Sequence, residues 1–209
     1  MRLFAFLLAS ASFFLSPGVQ AQAKELAPDA LVKSVTDEVL DIIRKDKDIK
    51  AGNTQRAIEL VEQKVLPHFN FSRMTALAVG RDWRQATPEQ QKALTEEFRD
   101  LLVRTYSNAL TAYKNETVDY RPFKMKAGET DVTVRTQIHQ SGARQPIKLD
   151  YSLERNGNAW KVYDVVVADV SLVTNYRSSF ATEIRNGGID GLVKTLKAKN
   201  SSLEAANRK

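Results

Sequence analysis

The spacing of the hydrophobic residues changes twice along the chain. Between residues 28 and 113, apolar residues recur every three or four positions, which places them on one face of a helix. Between residues 118 and 167 they alternate with polar residues, which is typical of strands that are buried on one side. From Val170 the helical spacing returns with Val173 and Tyr176. The pattern therefore predicts several helices, then strands, then a further helix.

Four predicted strands follow one another with only short turns between them. They contain Val118, Val134, Leu149 and Trp160, and Asn156-Gly157-Asn158 is a typical hairpin turn before the last of them. Consecutive strands joined by tight turns form an antiparallel meander, because parallel strands need long crossovers. We predict an α+β fold with N-terminal helices, a four-stranded antiparallel meander sheet and a C-terminal helix packed back on the sheet. The pattern alone leaves open whether a close-packed core or an apolar pocket lies between them.

Two local signals mark the starts of helices. Thr87 and Gln90 can form a capping box, and Pro88 takes the first helical position, where its missing N–H is not needed. This helix is predicted to reach about Tyr113. Residues 160–167 form a strand that is apolar on both faces and leads almost directly into the last helix, which Ser171 can cap.

The first 23 residues are predicted to be a signal peptide. Arg2 supplies the basic region and residues 3–15 the apolar region, while small residues allow cleavage after Ala21 or Ala23. The apolar run is shorter than the ~20 residues that a membrane span needs. Residues 24–199 are predicted to form a single α+β domain with a helical subdomain, and residues 200–209 a polar tail.

Composition narrows the possible partners. The 209 residues include no cysteine, which excludes disulfides, thiolate chemistry and a lipid-modified cysteine. Export without cysteine favours the periplasm of a Gram-negative cell. The net charge of +6 is compatible with simple solubility or with an anionic partner. Nucleic acid is not expected as a partner, because the chain has neither a nucleic-acid-binding motif nor a long basic run.

Few residues are suited to catalysis. The two histidines, His68 and His139, are far apart in the sequence, and no cluster of metal ligands or phosphate-binding loop is present. Asp150-Tyr151 and Tyr163-Asp164 could each provide an acid–base pair in a dry pocket. A structural role for these carboxylates is the stronger interpretation, so we predict no catalytic or metal-binding residue. A cavity enzyme and an envelope adaptor without a pocket are the alternatives.

Several motifs, in this order and spacing, resemble those of one family. They are Gly80-Arg81-Asp82-Trp83, Thr87-Pro88-Glu89-Gln90, Trp160-Lys161-Val162-Tyr163-Asp164, Asn175-Tyr176-Arg177 and Asn186-Gly187-Gly188. The chain resembles the MlaC family, also called the toluene-tolerance family, over nearly all of residues 24–199. The resemblance implies a soluble, periplasmic, non-enzymatic phospholipid carrier that maintains outer-membrane lipid asymmetry.

The resemblance also implies the ligand and the partners. A phospholipid would be bound with its acyl chains in an apolar pocket, without another cofactor. The partners would be an inner-membrane ABC-transporter complex and an outer-membrane lipoprotein–porin complex, and we expect a monomer. Strand alternation and helical faces predict the following lipid-binding residues: Leu101, Tyr106, Leu110, Val134, Leu149, Tyr151, Val167, Val170, Val173 and Tyr176. Arg135 and Lys148, on the polar face of neighbouring strands, are predicted to dock partners.

Overall fold

A computed structural model describes residues 26–140 and 142–207, so the predicted signal peptide lies outside the described residues. The α-helices are α1 (Pro28–Lys45), α2 (Lys47–Lys50), α3 (Thr54–Lys64), α4 (Phe71–Val79), α5 (Pro88–Tyr106), α6 (Asn108–Thr111) and α7 (Arg177–Asn207). The strands are β1 (Thr117–Tyr120), β2 (Asp131–His139), β3 (Ile147–Asn156), β4 (Ala159–Val167) and β5 (Val170–Ser171). The predicted α+β class is confirmed.

The strands form one antiparallel sheet in the order β1-β2-β3-β4-β5, so the predicted meander is confirmed with one strand more than expected. Strand β5 pairs with the end of β4 across Ala168 and Asp169, whose φ angles are 48° and 67°. Two central residues with positive φ make the tight hairpin turn that matches the twist of paired strands. This turn was not predicted, because neither residue is glycine.

The last helix begins later than its hydrophobic spacing indicates. Val170 lies in β5, residues Thr174–Tyr176 form a 3₁₀ turn, and α7 begins at Arg177. The helical start predicted at Val170 is therefore wrong. Ser171 does not cap this helix, because it lies in β5; its hydroxyl accepts the N–H of Thr174, the first residue of the 3₁₀ turn, at 2.9 Å.

A bulge in β4 explains why this strand looked apolar on both faces. Ser152 lies opposite Asp164, whereas Leu153 lies opposite Val162, so Tyr163 is an extra residue in β4. A bulge of one residue shifts the side-chain alternation. Trp160 and Val162 before the bulge, and Val165 and Val167 after it, consequently pack in the same core cluster. The strand has one interior face rather than two.

Helix α5 begins as predicted but ends early. Thr87 Oγ1 accepts the Gln90 N–H at 3.2 Å and Gln90 Oε1 accepts the Thr87 N–H at 3.0 Å, which confirms the capping box. The helix ends at Tyr106, and the single turn α6 carries the chain onward.

Helix α7 packs mainly on α5 and α4, whereas α1 lies over the sheet. The core between α5 and α7 contains Phe98 of α5, which contacts Tyr176 and Phe180 edge-on at ring distances of 5.2 Å. The helix kinks at Gly188, whose φ of 67° is easily adopted by glycine, and continues to Asn207. The C-terminal helix was predicted to pack on the sheet, but it packs on helices. Residues 200–207, which were predicted to be a polar tail, are part of this helix.

The side chain of Arg73 joins the helices to the sheet. Its guanidinium binds Glu154 of β3 and, at 2.8 Å, Asp131 of β2, and it lies 3.6 Å from the centre of the Tyr163 ring. The Tyr163 hydroxyl donates to Asp131 at 2.7 Å, and Asn70 Nδ2 donates to Glu154 at 2.6 Å. We call Arg73, Asp131, Glu154 and Tyr163 the arginine latch.

We expect Arg73→Met to lower the free energy of unfolding by about 2 kcal/mol, because it leaves the carboxylates of Glu154 and Asp131 without their cation. Urea unfolding measures the change. Lys92→Met removes an exposed cation that also pairs with a carboxylate, Glu96, at 2.7 Å, and should change stability by less than about 0.5 kcal/mol. Equal effects of the two substitutions would contradict the latch.

Candidate functional site

Two apolar cavities lie among the helices, and one of them also borders the sheet. The first, of about 230 Å³, lies between α1 and the inner face of the sheet. It is lined by Leu31, Val32, Val35, Thr36, Val39, Leu40, Val65, His68, Phe69, Leu110, Val118, Ile138, Leu149, Tyr151 and Val162. The second, of about 210 Å³, lies between α3, α5 and α6. It is lined by Val39, Val61, Val65, Leu66, Phe69, Phe71, Leu102, Val103, Tyr106, Ser107, Leu110 and Leu172.

The two cavities are direct neighbours. Val39, Val65, Phe69 and Leu110 line both of them, so a single layer of side chains forms their common wall. Both spaces are apolar. The presence of these cavities argues against the alternative of an envelope adaptor without a pocket.

The first cavity lies under a stretch of α1 between two points where the helix is buried. Val32 is buried in the sheet cluster, whereas Val39 and Ile43 are buried in a separate cluster with α2 and α3. Val35 and Thr36, between these anchors, remain partly exposed and line the cavity. No large side chain on this stretch of α1 fills the space above the sheet.

The polar groups in the first cavity are uncharged or favour the uncharged form. The lining includes Thr36, His68 and Tyr151 but no aspartate, glutamate, lysine or arginine. Burial raises the pKa of the Tyr151 phenol. Burial, together with the positive charge of Lys161, lowers the pKa of the His68 imidazole. These walls are suited to an apolar ligand, because a charge there would be poorly solvated.

Four of the ten predicted lipid-binding residues line these cavities. Leu149 and Tyr151 line the first, Tyr106 lines the second, and Leu110 lines both. Contact of these side chains with a lipid stays a prediction.

The other six line neither of the two cavities. Leu101 and Val173 are buried in the helical core, and Tyr176 packs against that core. Val134 is buried in the sheet core, and Val167 packs against it. Val170 is 51% exposed. The helical spacing that selected Val173 and Tyr176 reports burial, and burial by protein and burial by ligand give the same pattern.

Sequence reasoning missed the contribution of α1 and of the segment before α4. Val35 and Val39 of α1 line the first cavity, and Phe69 lies in the wall that both cavities share. The apolar stripe on α1 was a visible signal, but spacing does not show which partner a helix faces. Phe69 forms an isolated bridge with Val162, a long-range contact without a local pattern.

The acid–base pairs considered for an enzyme are not formed. Asp164 accepts the Ser171 hydroxyl at 2.6 Å and the backbone N–H groups of Val165 and Val173 at 2.8 and 3.2 Å. Asp164 therefore anchors β5, which agrees with the structural role expected for this carboxylate. Tyr163 donates to Asp131 of the arginine latch, so it does not pair with Asp164. Within residues 26–140 and 142–207, no cluster of three or more metal-ligating side chains is present.

The predicted docking residues lie on the outer face of the sheet. Arg135 Nε is 3.7 Å from Asp150, which points away from the cavity that its neighbour Tyr151 lines. Lys148 Nζ is 3.3 Å from Asp169. Both basic side chains are more than half exposed, but each has a carboxylate beside it, so the patch is less basic than predicted. Docking through these residues stays a prediction.

A family model described as MlaC protein matches residues 33–198. The chain belongs to the MlaC family. A relative from Haemophilus influenzae, the intermembrane phospholipid transport system binding protein MlaC, is 26% identical over 81% of this chain and 80% of its own length. The toluene tolerance protein ttg2D of Pseudomonas putida is 27% identical over 78% of this chain and 75% of its own length.

A solved structure supports the same fold. The phospholipid-binding protein from Ralstonia solanacearum, solved in complex with a phospholipid, superposes with a TM-score of 0.79 and 42% sequence identity. The match covers 86% of this chain and 99% of that chain. No helix among the residues described in the present structure is long and apolar enough to cross a membrane.

The lowered pKa of His68 predicts a loss of stability in acid. Below its ordinary pKa of about 6.5, the unfolded chain takes up a proton before the folded protein does, so the free energy of unfolding decreases. Stability from this group is therefore complete above about pH 6.5 and is lost as the pH falls. Urea unfolding at about pH 7.5 and about pH 5.5 should show a smaller decrease for His68→Gln than for the unaltered protein. An equal decrease would contradict this role of His68.

Proposed function

We propose that the protein is a soluble carrier that binds a phospholipid by its acyl chains in the two neighbouring cavities. The observation that supports this most strongly is the pair of uncharged apolar spaces with a common wall at Val39, Val65, Phe69 and Leu110. The number of neighbouring compartments equals the number of acyl chains in a phospholipid. The solved relative from Ralstonia solanacearum, bound to a phospholipid, supports the same ligand class.

The physical reason for such a carrier is the cost of exposing acyl chains to water. Each methylene transferred from water to an apolar site contributes about 0.8 kcal/mol, so two chains of roughly fifteen methylenes contribute roughly 24 kcal/mol. A phospholipid therefore does not cross an aqueous compartment alone at a useful rate. A protein that encloses the tails removes this barrier, and it requires no catalytic group.

The wider setting of the proposal is the envelope of a Gram-negative cell. We propose export to the periplasm by residues 1–23 and transfer between an inner-membrane ABC-transporter complex and an outer-membrane lipoprotein–porin complex, which would maintain lipid asymmetry. The name of the Haemophilus influenzae relative, which refers to intermembrane phospholipid transport, supports this setting. The monomer would carry its phospholipid as the bound ligand and need no other cofactor.

Replacing Leu110 or Leu149 by Trp should reduce bound phospholipid at least about tenfold, because the indole occupies space that the acyl chains need. Organic extraction of the purified protein followed by mass spectrometry measures the lipid per protein. Thr133→Trp, at an exposed position on the outer face of the sheet, is the matched control and should keep its lipid. Thermal unfolding identifies any variant that has lost its fold. Absence of phospholipid from the unaltered protein, together with failure to take it from vesicles, would refute the carrier.

The double substitution Arg135→Asp and Lys148→Asp should slow lipid transfer to partner complexes several-fold without emptying the cavities. The physical reason is that reversed charges on an outer surface act on the approach of a partner more than on a buried ligand. Transfer from the loaded protein to reconstituted membrane complexes and the lipid content before transfer are measured in parallel. Normal transfer would exclude these residues from docking.

A further inference from the structure

A polar groove lies beside the first cavity, at the edge where α1 passes β1. It encloses about 450 Å³ and carries the charged side chains Lys33, Asp37, Asp41 and Arg44 of α1. Their spacing of four, four and three residues places them on one helical face. The groove therefore contains two cations and two carboxylates, and these lining charges sum to zero.

The groove and the first cavity are adjacent. Leu40 of α1 and Val118 of β1 line both, so only these side chains lie between the groove and the cavity. A molecule with apolar tails in the cavity can thus place a polar end among the four charges. This amphipathic arrangement matches the division of a phospholipid into tails and head group.

The charges are held in place but remain available. Lys33 Nζ lies 2.6 Å from Asp37 and 4.9 Å from the centre of the Tyr120 ring, and the Tyr120 hydroxyl donates to Asp37 at 3.3 Å. Arg44 lies 3.3 Å from Asp41 and donates to a second aromatic side chain, the Tyr113 hydroxyl, at 3.1 Å. All four charged side chains are about half exposed. Exposed pairs of this kind contribute only about 0–1 kcal/mol, so a ligand can replace one partner at little cost.

We propose that this groove selects a zwitterionic head group that carries a primary ammonium, as in phosphatidylethanolamine. The phosphate pairs with a cation of the groove, and the ammonium pairs with Asp37 or Asp41. An anionic head group such as phosphoglycerol brings no cation for the carboxylates and meets their negative charge instead. The inference rests on the proposed lipid carrier and adds a preference among phospholipids.

Vesicles with equal amounts of phosphatidylethanolamine and phosphatidylglycerol, both with the same acyl chains, test this preference. The purified protein, delipidated and then incubated with these vesicles, is extracted, and both lipids are measured by mass spectrometry. We expect phosphatidylethanolamine to be enriched about threefold in the unaltered protein, the effect of one exposed ion pair. The double substitution Asp37→Asn and Asp41→Asn should abolish the enrichment, so that phosphatidylglycerol is taken up at least as well as phosphatidylethanolamine, because Lys33 and Arg44 are left without their carboxylates.

The substitution Glu96→Gln is the matched control. Glu96 of α5 pairs with Lys92 at 2.7 Å over the same i,i+4 spacing as the Lys33–Asp37 pair, and neither residue lines the groove. It should keep the threefold enrichment. Equal uptake of the two lipids by the unaltered protein, or an unchanged ratio in the double variant, would overturn the head-group preference. Absence of any uptake by the unaltered protein would instead refute the carrier function.

Discussion

The separation between α1 and the sheet is the constraint on which the rest of the structure depends. Protein interiors are normally close-packed, and lining an empty enclosed space sacrifices dispersion contacts. The cavity is partly open to solvent, so leaving its 230 Å³ dry would cost at most about 5.5 kcal/mol at roughly 24 cal/mol per Å³. That cost is comparable to the whole stability of a typical domain. An apolar ligand bound there would restore the lost contacts, so we expect such a ligand to stabilise the fold.

The surrounding structure keeps this space open. Helix α1 is buried at Val32 in one core and at Ile43 in another, so it bridges the cavity without collapsing into it. The arginine latch around Arg73 fixes α4 against three strands, and Asp164 ties β5 to β4. These polar contacts lie outside the apolar lining. They position the walls without placing charge where the acyl chains are proposed to lie.

Local sequence signals predicted local structure well. The capping box at Thr87 and the strand alternation follow from interactions within a few residues, and the structure confirms them. The candidate site was harder to predict, because a side chain facing a cavity and one facing a core have the same periodicity. Val173 and Leu110 were chosen by this criterion, yet only Leu110 lines a cavity. The cavity depends on which elements meet in space, a tertiary property that no local pattern encodes.

The most direct test of this account locates the acyl chains inside the protein. A phospholipid with a nitroxide spin label near the end of one acyl chain broadens the NMR signals of nearby methyl groups. With the labelled lipid bound, the account predicts strong broadening of methyl signals from Val35, Val39 and Leu149, which line the first cavity. Signals from Leu192 and Val173 in the helical core should broaden less. Broadening of the core methyl groups, with the signals of the three cavity residues unchanged, would contradict it.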